Sequence, residues 1–113
     1  MNIYWLKIEC NEGQSDKLSN LLGVGEYDEY SGSWRVEIEE QASGPPVSFI
    51  DYFLGILEGH YASISALGIK QSDISIWRLY EYDQQCNVEI SSEDMKRLGS
   101  RGIVFCMSCW ASE

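Results

Sequence analysis

The stretch SFIDYFLGILEGHYASISALG, residues 48–68, decides how this chain is read. Ile50, Phe53, Leu54, Leu57, Tyr61 and Ile64 recur at intervals of three and four, the spacing that lines one side of an α-helix. Pro46 closes the preceding loop, Ser48 with Asp51 makes a start like a capping box, and Gly68 supplies a stop. The pattern predicts one long helix from about Ser48 to Leu67. Gly55, Gly59, Ala62 and Ala66 fall on the side of that helix opposite Phe53, Leu57 and Ile64. Interior glycine costs a helix about 1 kcal/mol relative to alanine. Close approach of another helix, or of a second copy in a homodimer, would offset that cost; the alternative is a stripe that simply faces water.

The segments on either side read as strands. NIYWLKIEC (2–10) alternates, with Tyr4, Leu6, Ile8 and Cys10 on one face and Ile3, Trp5, Lys7 and Glu9 on the other. SDKLSNLLG (15–23) reads as a short helix with Ser15 as N-cap and Gly23 as stop. EYDEYSGSWRVEIEE (26–40) reads as a hairpin turning at Ser31-Gly32, with Trp34, Val36 and Ile38 facing in. QASGPP (41–46) is a loop and a candidate hinge. After the long helix, DISIWRLYEYDQQCNVEIS (73–91) reads as a second hairpin turning near Asp83-Gln84-Gln85. SSEDMKRLG (91–99) is a short capped helix with Met95 and Leu98 inward, and IVFCMSCW (103–110) is a closing strand. Residues 1–113 then form a single α+β domain: a mainly antiparallel sheet of about five or six strands, one long and two short helices, and ferredoxin-like β-α-β-β-α-β order.

Composition narrows function by exclusion. An apolar fraction of 44% is too high for a disordered chain. Eighteen acidic against eight basic side chains give a net charge of −10, which repels nucleic acid and anionic membrane and suits a basic protein partner. The N-terminal MNIYWLKIEC does not resemble a secretory signal, and no apolar run reaches the length of a membrane span, so a cytoplasmic location is expected.

RGIVFCMSCW (101–110) raises the possibility of metal or redox chemistry. A zinc knuckle would need Cys106 and Cys109 on one side of a tight turn, with further ligands from Cys10, Cys86 or His60. No glycine or proline lies between Ile103 and Trp110 to make that turn, and in an extended strand residues three apart point to opposite faces. A thioredoxin-type pair needs a helix after the first thiol, and none is read there. The cysteines therefore read as free thiols filling a core strand, with no metal and no cofactor assigned. His60, the only histidine, sits at the margin of the apolar stripe, and no nucleophile motif accompanies it. A small enzyme or zinc-binding domain built on the cysteines and His60 stays as the alternative function.

Two clusters mix tyrosine with acids: EYDEY (26–30) and WRLYEYD (77–83). Tyrosine is large, rigid and polar at its tip, which suits interfaces. Glu26, Tyr27, Asp28, Glu29, Tyr30, Tyr80, Tyr82 and Asp83 are accordingly the candidate partner-binding residues on the two hairpins, and no catalytic residue is assigned.

Leu22-Gly23 after a short helix, the hairpin from Gly32 to Trp34, the helix from Ser48, and SSEDMKRLGSRG running into IVFCMSCW together give the chain a resemblance. The order is similar to that of an uncharacterised bacterial family, domain of unknown function four-two-seven-nine. The resemblance implies a small α+β domain without established catalytic residues. By analogy with other small acidic proteins, it implies an immunity-type partner of a bacterial toxin.

Overall fold

The computed structural model describes residues 2–40, 47–82 and 88–111. The candidate hinge at 41–46 and the expected turn at Asp83-Gln84-Gln85 lie outside them, as do Asp83 and Cys86.

The apolar repeat of residues 48–68 continues through a break in the backbone. One helix, α2, runs Phe49–Leu57 and a second, α3, runs Tyr61–Ala66. Glu58 turns extended and Gly59 takes φ +81°, a value that glycine adopts without a Cβ penalty. The apolar residues still converge: Ile50, Phe53, Leu54, Leu57 and Ile64 are all buried in one core. The break corrects the expected long helix. Gly55, Gly59, Ala62 and Ala66 no longer share one helix face, and all four are exposed. Ser48 stands at the N-cap of α2 without a side-chain bond to the helix. Asp51 instead pairs with Arg97, which also holds Asp94 at 3.0 Å.

The rest of the chain forms a five-stranded sheet. In chain order the elements are β1 (Asn2–Glu9), α1 (Glu12–Leu22), β2 (Glu26–Asp28), β3 (Ser33–Glu40), α2, α3, β4 (Ile74–Tyr82), α4 (Ser92–Ser100) and β5 (Val104–Ala111). The strand order is β2-β3-β1-β4-β5. Its first four strands are antiparallel neighbours in the order of a split β-α-β, or ferredoxin-like, unit. The last pair, β4 with β5, is parallel, so α4 is the crossover of a β-α-β unit. This corrects the second hairpin. Residues 88–90 form no strand, Ile90 packs at the edge of the core, and the place beside β4 goes to β5. The eight-residue run VFCMSCWA is longer and more apolar than VEI, so it wins that position.

Helix α1 begins earlier than expected. Asn11, not Ser15, is its N-cap: Asn11 Oδ1 accepts from the Gln14 amide at 2.8 Å, and Gln14 Oε1 accepts from the Asn11 amide at 3.0 Å. Ser15 is buried. The side chain of Gln14 also donates to the Leu67 carbonyl at 2.9 Å, tying α1 to the end of α3.

All the helices lie on one face of the sheet. Tyr4, Leu6 and Ile8 of β1, Trp34 and Val36 of β3 and Ile74 and Ile76 of β4 share that face by register and are buried with Leu18, Phe53, Leu57, Ile64 and Leu98 from the helices. Leu98 therefore faces inward as expected, whereas Met95 is 56% exposed.

Candidate functional site

The opposite face of the sheet has no described helix over it. Strand register places its side chains in rungs. One rung runs Glu37, Trp5, Trp77, Cys106 from β3 to β5. The next toward the N-terminus of β1 runs Glu39, Ile3, Leu79, Ser108, followed by Glu81 beside Trp110. On the other side lie Glu26, Arg35, Lys7, Ser75 and Val104. The face is thus divided. Its β2–β3 side carries carboxylates, and its β1–β4–β5 side carries three tryptophans with Ile3, Leu79 and Val104. Trp110 and Val104 are 41% and 48% exposed, while Trp5 and Trp77 are half-buried.

The two central indoles are held in place. Trp5 and Trp77 are register partners with ring centroids 6.2 Å apart, inclined at 54°. Trp5 Nε1 donates to Glu37 at 2.7 Å, and Trp77 Nε1 donates to Ser75 Oγ at 2.9 Å. The Arg35 guanidinium lies 4.1 Å from the Trp5 ring centre, and Lys7 Nζ lies 5.3 Å from that of Trp77. Arg35 also pairs with Asp28 at 3.6 Å, and the carboxylates of this face, Glu26, Asp28, Glu37, Glu39 and Glu81, outnumber these two cations. Beside β2, a cleft of about 410 Å³ is lined by Gly25, Glu26, Tyr27, Asp28, Arg35, Val36 and Glu37. It lies where three-residue β2 stops short of the eight-residue β3.

The candidate residues from the sequence do not form one patch. The β2–β3 turn lies at the end of the sheet marked by Glu9, whereas Tyr80 pairs with Asn2 at the other end. Seven residues of strand separate the two, roughly 23 Å. Tyr30 is fully exposed at the turn, beside exposed Glu29. Tyr27 points to the helix side, opposite Trp34, while Glu26 and Asp28 point to the open side. Asp28 braces the turn, accepting from Ser31 Oγ at 2.7 Å and from the Tyr30 amide at 3.3 Å. The Ser31 bond, foremost, holds its carboxyl below the ordinary value. Tyr80 and Tyr82 stack at 6.4 Å on the helix side of β4.

A second organised group sits where β1, β3 and α2 meet. Glu40 accepts from Asn2 Nδ2 at 2.9 Å, from the Val47 amide at 3.0 Å and from Tyr4 OH at 3.2 Å. Burial acts to raise its carboxyl, but these bonds and the charge of Arg78 outweigh it and hold the pKa below the ordinary value. Tyr4 is raised, chiefly by burial and then by the Glu40 charge. Arg78 also donates to Asn2 Oδ1 at 3.2 Å.

The thiols do not converge. β5 is extended, with Cys106 opposite Trp77 on the open face and Cys109 opposite Tyr80 on the helix face. Cys106 is half-buried and Cys109 exposed, which corrects their expected place in a core strand: β5 is an edge. Burial pushes the Cys10 thiol up, away from thiolate chemistry. His60 stands at the N-cap position of α3, without a side-chain bond to the helix, rather than on a helix margin. Among the described residues, no three His, Cys, Asp or Glu side chains gather as a metal site, and no helix is long and apolar enough to cross a membrane.

The tryptophan face was not singled out from the sequence, although its signal was present. β1 and β4 carry large apolar residues at both parities, with Trp5 and Trp77 on the face that alternation assigns to solvent. The chain matches no protein-family model, no curated protein and no solved structure.

Proposed function

We propose that this protein is a non-catalytic, cytoplasmic protein-binding module whose partner is basic. In its concrete form it is an immunity-type inhibitor of a bacterial toxin, in keeping with its resemblance to domain-of-unknown-function family four-two-seven-nine. One observation carries the reading. A chain of net charge −10 presents three tryptophans on a sheet face that no described helix covers and whose β2–β3 side is rich in carboxylate. Aromatic clusters that stay partly open to solvent in this way mark interfaces. The carboxylates of Glu26, Glu37, Glu39 and Glu81 steer a cationic partner, and the indoles supply the desolvated contact. Tyr30 and Glu29 extend the acidic side at the turn, whereas Tyr80 and Tyr82 belong to the far end and the other face.

The test is to isolate the protein that this chain captures from a lysate of its source cell and to titrate it calorimetrically. Trp77→Ala should weaken binding at least about 30-fold, the size of an aromatic hot spot. Affinity should also fall as salt rises. Unchanged affinity for both Trp5→Ala and Trp77→Ala, with the fold retained, removes the reading.

A further inference from the structure

Strand β3 outruns its neighbour on one side. β1 pairs with all of it, from Ser33 to Glu40, whereas β2 pairs only with Ser33, Trp34 and Arg35. Before Glu26 the chain turns away at Gly25, which has φ +103°. Alternation decides which backbone groups this leaves open. The Cys10 amide donates to the Gly32 carbonyl at 3.1 Å, at the end of the β1–β3 ladder. Successive residues of an antiparallel pair turn their N–H and C=O to opposite sides. Trp34, Val36, Ile38 and Glu40 therefore bond to β1, and Ser33, Arg35, Glu37 and Glu39 face outward. β2 takes up Ser33 and Arg35. Among the described residues, no backbone group bonds to the outward N–H and C=O of Glu37 and Glu39. The cleft lined by Glu26, Arg35, Val36 and Glu37 lies at this gap. A row of unpaired backbone groups is a template for an added strand.

The side chains select what fills the gap. Glu37 and Glu39 are exposed on the open face, with exposed Glu26 near them, and Ile38 between them is half-buried on the helix side. Like charges directly opposite one another across two strands destabilise the pair, and opposite charges stabilise it. A second copy of this edge is thereby disfavoured and a cationic strand favoured. We propose that the outer edge of β3 at Glu37–Glu39 takes up an extended segment of the basic partner as an added strand, in line with β2 and antiparallel to β3. Two lysine or arginine residues of that segment oppose Glu37 and Glu39 and exchange backbone bonds with them. The apolar residue between them covers Ile38. The inference rests on the reading of a basic partner and adds the place and the backbone conformation in which that partner is held.

The probe is a blocked peptide, Thr-Lys-Val-Lys-Thr, titrated into the whole chain and followed by NMR amide exchange. The amides of Glu37 and Glu39 should exchange fast in the free protein and slow as peptide is added. Those of Val36 and Ile38, already bonded to β1, should keep their rates. An analogue methylated on both lysine backbone nitrogens keeps its charge but cannot donate, and should bind about tenfold more weakly. Glu39→Lys should weaken the lysine peptide about tenfold, and should bind a peptide with glutamate in place of both lysines better than wild type does. If that variant does not fold, the methylated analogue decides the matter on wild-type protein. Slow exchange at Glu37 and Glu39 in the free protein means that the edge is already filled and overturns the proposal. So does a peptide that leaves those amides unprotected, equal binding of the methylated analogue, or unchanged affinity of a folded Glu39→Lys variant. The partner isolated from the source cell separates the two readings. Binding that depends on Trp5 and Trp77 but leaves the Glu37 and Glu39 amides unprotected overturns the added strand and spares the sheet-face reading. Protection of those amides with no dependence on either tryptophan does the reverse.

Discussion

The same chemical change, glycine to alanine, should have opposite consequences at residues 25 and 55. Gly25 has φ +103°, and a Cβ there would lie inside contact distance of the Trp34 indole. Trp34 is fully buried, so the ring has no open space to enter. Its Nε1 donates to Ser19 Oγ at 3.2 Å, and that hydroxyl donates to the Gly25 carbonyl at 3.1 Å, so displacement disturbs a linked set. Backbone strain contributes about 1–3 kcal/mol. Overpacking adds about 1–3 kcal/mol. The stiffer unfolded chain returns about 0.4–1 kcal/mol. Gly25→Ala should therefore destabilise by about 3 kcal/mol, a large part of a typical 5–15 kcal/mol total. Gly55 lies inside α2 with nothing within 4 Å of a built Cβ. Gly55→Ala should stabilise by up to about 1 kcal/mol. Urea unfolding, followed by tryptophan fluorescence and far-UV circular dichroism, measures both. A Gly25→Ala variant within 0.5 kcal/mol of wild type, about the size of an ordinary surface change, would refute the packing argument. A destabilised Gly55→Ala variant would show that the small-residue surface has a neighbour after all.

Two further outcomes follow from the hydrogen-bonded groups. Glu40 has a lowered pKa, so its contribution to stability is present above the ordinary carboxyl value of 4.5 and is lost as pH falls through its folded value. The urea midpoint should drop below that pH, and Glu40→Gln should flatten the drop; identical pH profiles would contradict the assignment. Asn11→Ala removes the acceptor for the Gln14 amide and should cost about 1 kcal/mol, read by thermal unfolding, whereas no change would mean that the α1 cap is not a stabilising contact.

Elements whose signal was local were legible in the sequence. Alternation in residues 2–10 and 33–40 gave the inward faces of β1 and β3, and Gly23, Gly32 and Gly68 all take the positive φ expected of a stop or turn. The first four strands followed from element order. The break at Gly59 was not legible, because an apolar repeat keeps its phase whether the helix is straight or interrupted; only the backbone conformation distinguishes them. The parallel place of β5 depended on competition between two runs for one strand position, a nonlocal contest that periodicity does not register. The candidate site was half legible. Acidity and aromatic content pointed to an interface, but the tyrosine clusters were assembled by chain proximity, and register carried them to opposite ends of the sheet. Trp5, Trp77 and Trp110 come from three strands, so no short stretch announces them.

The most direct measurement follows the four indole N–H resonances during titration with the partner isolated from the source cell. The resonances of Trp5, Trp77 and Trp110 should shift while that of Trp34, enclosed beneath the helices, stays in place. Shifts that spare those three, or a partner that binds tightly without moving any of them, would contradict the assignment of the uncovered sheet face as the binding surface.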